Sequence, residues 1–223
     1  MNLKKLLSVF KNDEHISIAG IQRKMGVGYI TAAKYLVDLI DKKYVYKNDK
    51  GKYVFNRKTD DPGINLVFLD VDGVLNCSST KDTCGRYIGI EDEKVELLKK
   101  LVEQTNSKII LVSTWKFFWY KDPNLKDKQD DLANYLDAKL AKQGLSIYDK
   151  TEDKDVLNLG AGIIEYLRRL QYLGIKVNKY VILDDESFDY LETKLTKHLV
   201  ATSYRYGGLE EKHIKKALEK MNN

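Results

Sequence analysis

INLVFLDVDGVLN, Ile64 to Asn76, runs an apolar stretch straight into two aspartates that are separated by one residue and followed by glycine. The uninterrupted run Leu66, Val67, Phe68, Leu69 fits a strand buried on both faces, so Asp70 and Asp72 emerge together at its carboxyl end. Open α/β sheets place their chemistry at that end. The spacing suits phosphoryl transfer. One aspartate can attack phosphorus while a cation neutralises it, and the other, two residues on, can exchange a proton with the leaving or attacking oxygen. Gly73 lets the backbone turn sharply beside them. A strand ending in an acidic turn accounts equally well for an isolated DxDG, so other segments must decide.

Two segments do. KIILVSTW, Lys108 to Trp115, is a second apolar run, ending in the hydroxyls of Ser113 and Thr114, and KYVILDDE, Lys179 to Glu186, ends in Asp184 and Asp185. The order DxDG, Ser/Thr, paired Asp resembles the haloacid dehalogenase (HAD) superfamily of aspartate-nucleophile phosphatases, from about Gly63 to the C-terminus. Within it, Ser113 with Trp115, Leu183 to Glu186, and Gly208 with Leu209 look like the HAD domains of Swiss Army Knife RNA repair proteins.

The resemblance implies an α/β fold, a Rossmannoid parallel sheet with helices on both faces. It implies Asp70 as nucleophile, Asp72 as general acid and base, and Ser113 as a phosphoryl hydrogen-bond donor. It further implies Mg2+ held by Asp70, the backbone carbonyl of Asp72, and Asp184 or Asp185. Such sequences carry Lys or Arg at the start of the helix before the LDD strand, but the corresponding residue here is Leu159. Lys150 or Lys154 from the loop YDKTEDKD, or Lys116 directly after SxW, are the candidates to replace it.

The first 58 residues differ in character. They carry 13 Lys/Arg against 5 Asp/Glu, a net +8, whereas the remainder is −3 with 25 against 28. Such an asymmetry is expected where the basic part meets a polyanion. Leu3, Leu6, Leu7 and Phe10 recur at helical spacing. Ser17 suits an N-cap for a short helix carrying Ile18, Ile21 and Met25, and a third helix runs from Tyr29 to Ile40. Lys43 to Phe55 alternates as a hairpin around Asn48 to Gly51. Three helices and a hairpin make a winged helix-turn-helix, whose second motif helix enters the major groove of duplex DNA.

SIAGIQRKMGVGYITAAKYL also resembles the gamma domain of FtsK-type DNA translocases through Ser17, Ile21, Gln22, Arg23, Val27, Gly28, Tyr29, Ala32 and Ala33. The Asn-Arg that such domains present are Ile30 and Thr31 here, so base reading should differ. The candidate nucleic-acid contacts are Gln22, Arg23, Lys24, Tyr29, Thr31 and Lys34. For Ala32 and Ala33, helix packing is the better reading.

These readings give a winged helix over 1–58, a linker over 59–63 around Pro62, and a HAD-like domain over 64–223. Cys77 and Cys84 are too few for a disulfide framework or a zinc site and read as free thiols. No signal peptide or membrane-length apolar run is present, so a cytoplasmic protein with no membrane partner is expected. The FFWY run, Phe117 to Tyr120, reads either as cover for a binding surface or as an anchor on the core. About 15 residues between the first strand and the helix near Asp92 are too few for a folded cap. A helix near Asp127 to Lys142 and a strand near Leu145 to Tyr148 fill the next connection. The expected protein is a capless, Mg2+-dependent phosphohydrolase acting on a nucleic-acid terminal phosphate. A phosphatase of small esters, or a DNA-binding regulator with a weakly active, ligand-sensing domain, are the alternatives.

Overall fold

The computed structural model describes residues 3–10, 13–56, 63–152 and 158–222. The chain divides into two compact units, residues 1–62 with 168–176, and residues 63–167 with 177–223. The expected linker and Lys154 fall largely or wholly outside the described residues.

The first unit runs α1 (Leu3–Val9), β1 (His15–Ile16), α2 (Ile18–Met25), α3 (Tyr29–Asp41), β2 (Val45–Lys47) and β3 (Tyr53–Phe55). Its antiparallel sheet has the order β1-β3-β2. Ser17 caps α2 by accepting from the Gly20 N–H at 3.0 Å, and Gly26 ends that helix in the left-handed conformation. The hairpin turns on Asn48, whose Oδ1 accepts from the N–H groups of Lys50 and Lys52. Leu6, Phe10, Ile21, Ala32, Leu36, Leu39 and Phe55 form its core, joined by Leu173 from the 168–176 segment. Ala32 is fully buried there, as its packing role requires.

The second unit contains a five-stranded, all-parallel sheet of order β10-β9-β4-β7-β8. These strands are β4 (Ile64–Leu69), β7 (Ser107–Leu111), β8 (Ile147–Lys150), β9 (Val177–Asp184) and β10 (Leu199–Ala201), and a small hairpin, β5 (Thr83–Cys84) with β6 (Tyr87–Ile88), follows β4. The helices are α4 (Asp92–Thr105), α5 (Asp131–Lys142), α6 (Leu159–Tyr172), α7 (Phe188–Leu191) and α8 (Glu211–Asn222). One face of the sheet, with Val67, Leu69, Ile109, Leu111 and Val181, packs on Val95, Leu98, Leu136, Ile214 and their neighbours from α4, α5 and α8. On the other, Phe68 meets Tyr166 of α6 edge-on at 5.9 Å. Covering both faces is what makes Leu66 to Leu69 continuously apolar: none of the four is exposed, and each contributes about 1.5–3 kcal/mol by leaving water.

Two expected elements shift. The helix expected from Asp127 starts at Asp131, because Pro123–Lys128 forms a 3₁₀ turn and Asp130 caps the helix through the Ala133 N–H at 2.8 Å. The strand expected over Leu145 to Tyr148 is Ile147–Lys150, because Gly144 and the Leu145 N–H close the end of α5 first. Lys150 is therefore the last residue of a strand and not part of a loop. Among the described residues, no helix is long and apolar enough to cross a membrane.

Candidate active site at the carboxyl edge of the sheet

Backbone ladders continue one step past four strand ends. Asp70 N–H donates to Leu183 O, Val112 N–H to Leu69 O, Thr151 N–H to Leu111 O, and Thr202 N–H to Asp184 O. Residues distant in sequence are thereby brought to one level. The central strand β4 delivers Asp70, and its neighbours β9 and β7 deliver Asp184 and Ser113.

One carboxylate oxygen from each of Asp70, Asp184 and Asp185 lies within 4.8 Å of the others. Ser113 hydrogen-bonds Asp70. Asp184 accepts from the Glu186 N–H at 2.8 Å and from the hydroxyl of Tyr190, which is fully buried. Asp185 accepts from the Tyr204 N–H at 3.3 Å. Burial, then the charge of Asp184, holds the Asp70 carboxyl well above the usual carboxylate range. Burial likewise pushes Asp184 up to about 7 and raises Asp185. Three crowded carboxyl groups, all offering oxygen, form a donor set suited to a hard divalent cation.

Asp72 stands apart from this cluster by its hydrogen bonds. Its Oδ2 accepts from the Trp115 indole N–H at 2.9 Å and its Oδ1 from Asn76 Nδ2 at 2.8 Å. Asn76, completely buried, also accepts from the Gly73 N–H at 3.0 Å. The turn is thus stitched to the side chain it presents. Gly73 has φ +74°, and a methyl at this position would overlap the Asp185 carboxyl carbon. Thr202 Oγ1 donates to Gly73 O at 2.7 Å, and Leu209 N–H to Val74 O at 2.9 Å. Gly208, at φ +64°, approaches the carbonyls of Val74 and Asn76 within the space a Cβ would need, which is the work of the Gly-Leu pair.

Leu159 begins α6, the helix that precedes β9. Its N–H donates to Asp189 Oδ2 at 3.1 Å, and Asn158 Oδ1 accepts from Ala161 N–H at 2.8 Å. The helix start is capped, with an aliphatic side chain where a cation was expected. Of the replacements, Lys150 Nζ donates to the Lys116 carbonyl at 2.7 Å and lies 5.8 Å from the Tyr120 ring centroid. Lys116 has no exposed surface. It follows Ser113 and Trp115 in one 3₁₀ turn, and its ammonium donates to Thr151 Oγ1 at 2.8 Å.

In the first unit, Arg23, Thr31 and Lys34 are exposed, Gln22 is half-buried, and Tyr29 is 63% exposed at the start of α3 beside Ile30 at 84%. Lys24 is held by Asp13 at 2.5 Å and lies 4.8 Å from the Phe10 ring centroid.

Sequence reasoning did not find Asn76, Tyr190 or Thr202. Asn76 had a signal, since it stands four residues after Asp72 in the same turn. Tyr190 and Thr202 had none, because neither contact is encoded by a local pattern.

The family model described as the HAD domain in Swiss Army Knife RNA repair proteins matches residues 66–214. No curated protein and no solved structure matches the chain. The matched span begins inside β4 and ends inside α8, so it takes in all the residues just described at the carboxyl edge. More than half of the chain being matched, the protein belongs to this HAD family.

Proposed function

We propose that the protein is a Mg2+-dependent phosphohydrolase that uses Asp70 as nucleophile on a nucleic-acid terminal phosphate, with a winged helix in its first unit that holds duplex DNA. The clustering of the Asp70, Asp184 and Asp185 carboxylates beside Ser113 carries this reading. A bound Mg2+ would be held by these carboxylates and would offset their charge and that of the phosphoryl oxygens. Asp70 attacks phosphorus, and the bond to the leaving oxygen breaks as Asp72 gives that oxygen a proton. Water then attacks the aspartyl-phosphate, Asp72 takes its proton, and phosphate leaves with Asp70 restored. Ser113 orients a phosphoryl oxygen. Two short strands and turns between β4 and α4 leave no room for a folded cap, which suits a macromolecular end, and the matched family is named for RNA repair. The test is phosphate release across mononucleotides and phosphorylated DNA and RNA ends under Mg2+ titration. Release that ignores Mg2+ or is confined to small esters counts against the reading.

We assign the missing cation to Lys116, a buried ammonium one turn from Ser113. Lys116→Met should lower kcat/KM by roughly a hundredfold, as for loss of a donor to developing charge. Lys116→Arg should recover part of it. Equal kcat/KM for wild type and the folded Met variant removes Lys116 from the site.

The metal reading also fixes a pH dependence. With Asp184 pushed up to about 7, the folded metal-free protein keeps protons that the unfolded chain releases near pH 4 (about 3.9 for a free Asp). This cluster therefore costs no stability below that pH, and costs progressively more as pH rises toward 7. Mg2+ should raise the melting midpoint on the order of 5 °C at pH 8 and little at pH 5. Equal gains at both pH values would place the ion elsewhere.

For the first unit, the order helix, strand, helix, helix, hairpin and the net +8 support the winged helix. Replacing Arg23 and Lys34 with Ala in the full chain should weaken duplex binding at every sequence. The slope of log affinity against log salt should fall by about 0.9 per lost phosphate contact. Binding with an unchanged slope would leave these cations as solvated surface.

A further inference from the structure

We infer that the rim of the carboxylate site is a stacking platform for the unpaired end of a nucleic-acid strand; the inference rests on the phosphohydrolase reading and narrows its substrate. The second unit exposes six large apolar side chains among its described residues: Tyr87, Phe117, Phe118, Phe188, Leu191 and Tyr206. Every one lies in a connection that leaves the carboxyl end of a parallel strand. Tyr87 stands between β4 and α4, the Phe117–Phe118 pair between β7 and α5, Phe188 and Leu191 in α7 after β9, and Tyr206 between β10 and α8. Because the strands are parallel, these connections start from the one edge that carries Asp70, Ser113 and Asp184. Among the described residues of this unit, the large exposed apolar side chains are thus confined to connections that leave that edge.

The backbones that present these rings are pinned. Trp119, directly after Phe118, is buried with its indole N–H on Asp137 Oδ1 at 2.9 Å. Tyr190, two residues after Phe188, is fully buried and donates to Asp184. The loop of Tyr206 closes through Gly208 N–H on Ser203 O at 2.8 Å, and Ser78 N–H holds Tyr204 O at 2.9 Å. Rings that are 54%, 76% and 79% exposed at Phe118, Phe188 and Tyr206 thus stand on fixed supports, where ordering costs little on binding.

What covers the rim is attached to the phosphate below it. Flat aromatic faces select flat rings, and two arginines are interleaved with them. Arg86 lies 5.2 Å from the Tyr87 ring centroid, and Arg205 sits exposed between Tyr204 and Tyr206. Rings for bases and guanidinium groups for internucleotide phosphates are the paired requirements of a single strand. A blunt duplex end keeps its bases stacked on one another and has fewer to offer.

The test compares the full chain with Phe118→Ala, Phe188→Ala and Tyr206→Ala, whose exposed positions leave the fold intact. Substrates are short DNA and RNA strands with a terminal phosphate at either end, the same strands annealed to complements, glycerol phosphate and a phosphotyrosine peptide. Wild type should favour the unpaired strands over blunt duplex by roughly tenfold or more, and each variant should lose roughly tenfold in kcat/KM on them, mainly through KM. DNA and RNA should lose alike, since stacking ignores the 2′-hydroxyl, and glycerol phosphate should be unaffected. An equal loss on glycerol phosphate, no loss on strands, or a loss confined to the phosphopeptide overturns the platform. Should wild type release no phosphate from any substrate, anisotropy of labelled unpaired strands decides separately. Weaker binding by the variants then keeps the platform while the phosphohydrolase reading falls, and unchanged binding removes both.

Discussion

With Asp70 as the nucleophile we propose, Asp70→Asn should lower phosphate release by roughly a thousandfold or more while the protein stays folded, because a carboxamide cannot form an aspartyl-phosphate. The same substitution should stabilise the metal-free protein. Burial and the neighbouring Asp184 charge hold the Asp70 carboxyl well above the usual range, so ionising it costs more in the folded protein than in the unfolded chain. A neutral amide of the same shape removes that repulsion and keeps a hydrogen-bond partner for Ser113. At pH 8 without Mg2+, the variant should melt a few degrees above wild type, a gain that Mg2+ diminishes by stabilising wild type more. Phosphate release and thermal melts on the same samples check both halves. Full activity in the variant would sink Asp70 as nucleophile, and a lowered melting point would show that the crowding of carboxylates is not a source of instability.

Gly73→Ala should damage the site severely with a single methyl. The residue sits at φ +74°, where an L side chain costs about 1 kcal/mol or more. The added carbon also overlaps the Asp185 carboxyl. Asp185 must swing away, or the Asp70 to Asn76 turn must open and release the hydrogen bonds that Asn76 and Thr202 make to Gly73. Either outcome displaces a carboxylate of the cluster or the Asp72 side chain, and a displacement of about 1 Å is enough for a hundredfold loss. We expect roughly that loss in kcat, a weaker apparent affinity for Mg2+, and about 1–3 kcal/mol of lost stability. Activity within a few-fold of wild type at unchanged Mg2+ affinity would show that the turn tolerates the methyl.

Much of this was legible in sequence, for identifiable reasons. Leu66 to Leu69 announce a doubly buried strand because both faces must be apolar, and the polar residues that follow mark its carboxyl end. Ser17 and Gly26 announce the limits of α2 through capping chemistry that is local. The register that aligns Asp70, Val112, Thr151 and Thr202 was not legible, since ladder pairing is a property of the assembled sheet. Neither was the role of Trp115. Its position in SxW marks the family, but only the fold brings its indole to Asp72, 43 residues away in sequence. Lys150 was placed in a loop because its neighbours are polar; as the outermost partner of β7, β8 needs less apolar character than the inner strands, and it ends on that lysine.

The indole of Trp115 also makes the molecule its own optical probe. The chain has two tryptophans, and the other, Trp119, donates to Asp137 on α5. In a Trp119→Phe background, with excitation at wavelengths that tyrosine does not absorb, emission would come from one indole whose N–H rests 2.9 Å from the Asp72 carboxylate. Occupancy of the site by a phosphate ester would then be readable as a change in quantum yield or wavelength, with no turnover needed and no dye attached.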